Sequence, residues 1–127
     1  MITTALKSTR KPDITFYRGG RIDICSRLAK QLKLQDGDVI DIASEKGEYM
    51  LFVRLKAENA IGRHEARVMA ANKGTNNLRT YSRRLSDAMF KVSRGSEERI
   101  ALRLAAGLPI EVAEIGIAVP LITHNPL

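Results

Sequence analysis

The chain has 127 residues, 44% hydrophobic and 28% charged, which suits one domain with a single core and argues against general disorder. Its 21 basic residues exceed its 14 acidic ones for a net charge of +7, while a lone Cys25 and two histidines exclude an internal disulfide and any zinc-ligand spacing. No apolar run approaches the roughly 18 residues a bilayer-spanning helix needs.

Residues 1–12 show no hydrophobic period, carry three basic residues and end in Pro12, so they read as a flexible basic arm. They lack the basic-then-apolar order of a secretory signal, and with the single thiol this favours a cytoplasmic protein. Residues 14–17 form a β-rich run that stops at Gly19-Gly20. Ile22 and Ile24 then alternate with Arg21 and Asp23, as a half-buried strand requires. Ser26 reads as a helix N-cap, with Leu28 and Leu32 on one face and Arg27, Lys30 and Lys33 on the other. Asp36-Gly37 makes a turn into a strand over 39–43, and a loop containing Gly47 leads into another over 49–55.

The polar stretch 56–65 reads as a linker between two halves, about 13–57 and about 64–127. A short strand over 66–71, a turn-rich segment and an extended run over 78–81 follow. Residues 83–92 read as a helix capped near Ser82 that buries Leu85, Met89 and Val92. Residues 99–104 alternate Ile100, Leu102 and Leu104 as a strand, and 110–122 closes the chain as two extended segments bent at Gly116 or Pro120. The halves repeat one order, strand-strand-helix-strand, with Ile22 over Arg79, Cys25 over Ser82 and Leu32 over Met89. Two such units hide their apolar faces most simply against each other, in a small closed barrel without free edges.

Catalysis finds no converging set of groups. Cys25 precedes a helix start, but no histidine lies near it in sequence, and a cysteine closing a strand is most often a small core residue. Asp36, Asp38 and Asp41 fit no calcium loop, and Lys73-Gly74-Thr75 lacks the upstream glycine of a phosphate loop. No polar constellation marks a small-molecule pocket. A non-enzymatic protein with neither cofactor nor metal is the expectation.

Charge distribution points further. Beyond Arg103 there is no Lys or Arg and only Glu111 and Glu114 carry a full charge, so the first 103 residues carry +9. A basic body attracts polyanions through long-range fields and counterion release, although a high pI also serves solubility. The second helix repeats the basic habit of the first with Arg83, Arg84 and Lys91. Three Tyr, three Phe and no Trp, without aromatic-basic interleaving, argue against a single-strand stacking platform.

The segment from Ile14 to Val53 resembles the AbrB/MazE-type DNA-binding domain, through Gly20-Arg21, the alternating Ile22 and Ile24, the short helix with Leu28 and Leu32, Leu34, Gly37-Asp38 and Ile40-Asp41-Ile42. It departs at Cys25, where the family usually has Pro, and at Lys33, where it usually has Gly; the second copy offers Asn77-Leu78-Arg79 in place of Gly-Arg. The resemblance implies a mainly β fold with two short helices (α+β), a small closed barrel over residues 13–127 of AbrB-like or double-psi-like type. With two fused copies the barrel closes within one chain, and a homodimer is a further option. The function so implied is double-stranded DNA binding by a transcriptional regulator or antitoxin-like protein, using Arg18, Arg21, Arg27, Lys30, Arg79, Arg83 and Arg84 against phosphates. The alternative is an assembly module joined through the apolar stretch 108–127.

Overall fold

The computed structural model describes residues 11–62, 65–71 and 74–127. The N-terminal arm, apart from Lys11 and Pro12, and Lys73 lie outside the described residues. The elements in chain order are β1 (Ile14–Tyr17), β2 (Arg21–Ile24), α1 (Ser26–Gln31), β3 (Val39–Glu45), β4 (Glu48–Leu55), a 3₁₀ turn (Ala57–Asn59), β5 (Met69–Ala70), β6 (Leu78–Tyr81), α2 (Arg83–Val92), β7 (Ala101–Leu104), β8 (Ile110–Val112) and β9 (Gly116–Leu121). The protein is mainly β and builds two antiparallel sheets, one ordered β5-β6-β2-β1-β7 and the other β3-β4-β9-β8.

Period-two alternation decides which way each strand faces. Ile14 and Phe16, Ile22 and Ile24, Leu78 and Thr80, and Leu102 and Leu104 point inward from the five-stranded sheet. They meet Ile40, Leu51, Val119 and Leu121 of the other sheet, with Leu28 of α1 and Met89 and Phe90 of α2. Each such fully buried aliphatic or aromatic side chain contributes roughly 1.5–3 kcal/mol of transfer free energy. Thr80 is tolerated there because its Oγ1 donates to the Arg67 carbonyl at 2.8 Å.

The halves interleave. β1, from the first half, pairs with β7 of the second, Phe16 opposite Leu102. In the reciprocal place, Val39 of β3 bridges Arg67, flanked by Ile40 N donating to the Ala66 carbonyl and Val68 N to the Asp38 carbonyl. Ala106, just past β7, bridges Leu121 of β9, flanked by bonds from Gly107 N to Pro120 O and Ile122 N to Ala105 O. The two sheets are therefore joined by main-chain bonds in two places.

Several expectations are corrected. Cys25, not Ser26, caps α1: its Sγ accepts from Leu28 N at 3.4 Å. Ser82 caps α2 as expected, accepting from Leu85 N at 3.2 Å. That helix buries Ser86, Met89 and Phe90, while Leu85 is half-buried and Val92 exposed. Its rotation follows from Ser86 Oγ donating to the Tyr17 carbonyl, which presses the serine side against β1. Ile100 lies outside β7, although it was expected inside a strand over 99–104, and is 82% exposed. The 56–65 stretch is more than a linker, since it contains the 3₁₀ turn and buries Ala60. The C-terminal bend falls at residues 113–115 and is closed by Gly116, at φ +81° opposite Val112, as one of the two expected positions had it, while Pro120 sits inside β9. Superposing Ile22 on Arg79 sets a buried residue on an outward one, so the strands of the two copies differ in phase by one residue while their helix caps align.

Candidate nucleic-acid interface

β2 and β6 lie side by side at the middle of the five-stranded sheet, and their outward positions are polar. Asp23 is opposite Arg79, and Arg21 opposite Tyr81. Register extends the first of these rows across the sheet as Met69, Arg79, Asp23, Thr15 and Arg103. At its centre the Asp23 carboxylate is shared: Arg79 Nε donates to Oδ1 at 2.7 Å, and Arg21 donates to Oδ2 through an Nη at 2.7 Å and Nε at 3.1 Å. Burial by itself raises the pKa of Asp23, but the bonds from Arg21 and Arg79 outweigh it and hold the carboxyl below its ordinary value. The same bonds push both arginines further up, so this centre stays ionised throughout the neutral range with one positive charge in excess.

The second row is aromatic and basic together. The Arg21 guanidinium lies over the Tyr17 ring at 4.5 Å, and Tyr81 on its other side is 57% exposed. Tyr17 and Tyr81 are far apart in sequence, so the interleaving that the chain lacks in one dimension exists in space. Neither tyrosine nor Asp23 was among the expected site residues. Their signal was present only as the outward phase of strands, which names a face and not its neighbours.

The remaining expected residues divide. Arg18 turns back onto its own protein, with its guanidinium over the Phe90 ring at 4.2 Å and bonds to the carbonyls of Arg99, Ser96 and Glu97. It fastens the loop between α2 and β7. Arg27 reaches the buried Asp13 at 2.7 Å, a carboxylate that also accepts from Ala106 N. Burial raises Asp13, and the bonds from Ala106 and Arg27 more than reverse this. Arg84 pairs loosely with Glu65 at 3.6 Å, both well exposed. Lys30 and Arg83 are exposed.

Placement of the helices follows from the antiparallel pair. α1 leaves the Ile24–Leu78 end and carries Arg27 and Lys30; α2 leaves the Arg21–Tyr81 end and carries Arg83 and Arg84. Three residue steps of strand put these ends about 10 Å apart. Gly20 is needed where α2 meets this sheet: its φ is +107°, and a Cβ there would stand 3.0 Å from Arg83 N. A depression of about 440 Å³ between the α1 end and the sheet is bordered by Lys11, Asp13, Asp23, Cys25, Asn77 and Arg79.

Among the described residues no group of three or more His, Cys, Asp or Glu is placed to hold a metal ion, and no helix is long and apolar enough to cross a membrane. Cys25 Sγ faces Asp13 Oδ1 at 3.6 Å, and His124 is exposed. Comparison of the chain with protein-family models, curated proteins and solved structures returns no match in any of the three.

Proposed function

We propose that the protein is a non-enzymatic DNA-binding barrel, with the outer face of the five-stranded sheet laid against double-stranded DNA. The observation that carries this reading is the Arg21–Asp23–Arg79 centre. One carboxylate holds two guanidiniums on adjacent strands, leaving the remaining N–H groups of each for phosphate oxygens. Arg83 and Arg84 at one end, and Arg27 and Lys30 at the other, extend the contact along the duplex, while Arg18 serves by fixing the loop behind α2. Closure of the two sheets into one barrel is part of the proposal, supported by the bridges at Val39–Arg67 and Ala106–Leu121. So is the kinship with AbrB/MazE-type regulators, which rests on the residues from Gly20 to Ile42 and on the interleaving of the two halves.

The test is fluorescence anisotropy with a labelled duplex over a range of salt. Affinity should fall steeply, and the Arg21→Ala, Arg79→Ala double variant should weaken all sequences alike and reduce the magnitude of the log–log salt slope by about 2. Absence of binding at low salt refutes the reading.

The assembly alternative keeps a narrower base. Ala118, Val119 and Leu121 of β9 are buried, so this part of the 108–127 stretch belongs to the core. The large hydrophobic side chains it leaves exposed are Leu108, Ile110 and Ile117, beside the sheet edge at β8. Ile110→Lys with Ile117→Lys should lower the mass seen by light scattering if that edge joins subunits.

A further inference from the structure

Resting on the reading of the five-stranded sheet's outer face as a DNA surface, we infer that this face also receives an unpaired base, stacked on Tyr81 beside Arg21. A duplex engages a protein surface through phosphates and groove edges and offers no free ring face in its interior. Tyr81 is an exposed aromatic residue at the end of β6 beside Arg21 on a cationic sheet, a position that phosphate contacts alone leave without a use. Its cross-strand neighbour Arg21 is held flat by Tyr17 beneath it and by Asp23 at its side, so its outward plane is preorganised. A planar aromatic and a planar guanidinium in adjacent register form the kind of platform on which a splayed-out base stacks. Charge selects the occupant. Arg21, Arg79 and Arg103 against Asp23 leave this face at +2 before the helix ends are counted, so a polyanionic strand is favoured over an apolar or cationic partner.

The preferred ligand is therefore DNA with an unpaired segment inside or beside a duplex. The experiment compares the full chain on a fluorescein-labelled duplex and on the same duplex carrying a central run of unpaired thymines, at equal salt. The expected result is about tenfold tighter binding of the interrupted duplex. Tyr81→Ala should abolish that preference, bringing the affinities for the two DNAs level, and Tyr81→Phe should keep it. The chain has no Trp and three Tyr, so intrinsic tyrosine fluorescence provides a second reading: unpaired DNA should quench it in the parent, and less in Tyr81→Phe. Equal affinity for both DNAs, or a preference that survives Tyr81→Ala, overturns this inference and leaves the duplex reading standing. Failure to bind either DNA at low salt overturns both. A Tyr81→Ala change that dissociates a dimer without altering DNA preference assigns the surface to a second copy and overturns it too.

Discussion

Arg79 Nε lies 2.7 Å from Asp23 Oδ1 across the β2–β6 ladder, and Arg21 holds the other oxygen of the same carboxylate. The acid sets the positions of two bases that would otherwise sample many rotamers in solvent. Asp23→Asn keeps the shape and removes the charge. It should cost about 1 kcal/mol in urea denaturation. Because a further positive charge is then uncovered on the face, the magnitude of the salt slope for duplex binding should rise by about 0.9. A slope that falls instead would mean that positioning by Asp23 outweighs its charge.

Asp38 is wholly buried and accepts from Lys56 Nζ at 2.7 Å and from the amides of Gln35 and Ala57, each at 2.8 Å. It ties the Asp36-Gly37 turn to the end of β4. Asp38→Ala strands two amides, takes from Lys56 its carboxylate partner while leaving it the Lys33 carbonyl, and should lower stability by roughly 3 kcal/mol. Thermal unfolding would show this as a large drop in Tm.

Two lysines sit in the left-handed region, Lys33 at φ +51° after α1 and Lys46 at φ +51° in the two-residue β3–β4 turn before Gly47. Lys33→Gly and Lys46→Asn relieve that strain, the second by making the Asn-Gly pair such a turn prefers. Each should stabilise by about 1 kcal/mol. Chemical denaturation should show a higher midpoint with an unchanged slope.

The helix caps are related chemically. A sulfur caps α1 and an oxygen caps α2. Ser82→Ala should cost about 1 kcal/mol. Cys25→Ser supplies the stronger acceptor and should raise Tm, whereas Cys25→Ala should lower it.

Asp13 and Asp23 both titrate below the ordinary carboxylate range in the folded chain, because the hydrogen bonds each accepts outweigh its burial. The unfolded chain therefore takes up these protons at higher pH than the folded one. Their contribution to stability is fully present above about pH 4 and is lost as pH falls through their folded values. Tm should be level between about pH 7 and 5 and decline below about pH 4.

Local rules made much of the fold legible. Alternation at Ile22 and Ile24, the β-rich run Ile14–Tyr17 and the Asp36-Gly37 turn all appear where periodicity and turn chemistry place them. The face of α2 did not, because its buried Ser86 is satisfied by a carbonyl from elsewhere, that of Tyr17 in β1. Hydropathy has no means of recording such partners. For the site, Arg21 and Arg79 were readable as basic strand positions. Their shared carboxylate was not, since Asp23 and Arg79 are 56 residues apart and meet only through sheet register. Arg18 shows the converse, a basic residue whose cation is consumed by Phe90 and three carbonyls that no spacing announces.

The pairing of β1 with β7 sets a timetable for the nascent chain. β1 finds β2 almost at once, but its other edge and the Asp13 carboxylate wait for residues 101–106 to leave the ribosome. At ordinary synthesis rates that is a delay of roughly 4–16 seconds. During it, Phe16 and an open strand edge are exposed to any other β-prone segment in the cell. The first strand to be made is among the last to be completed.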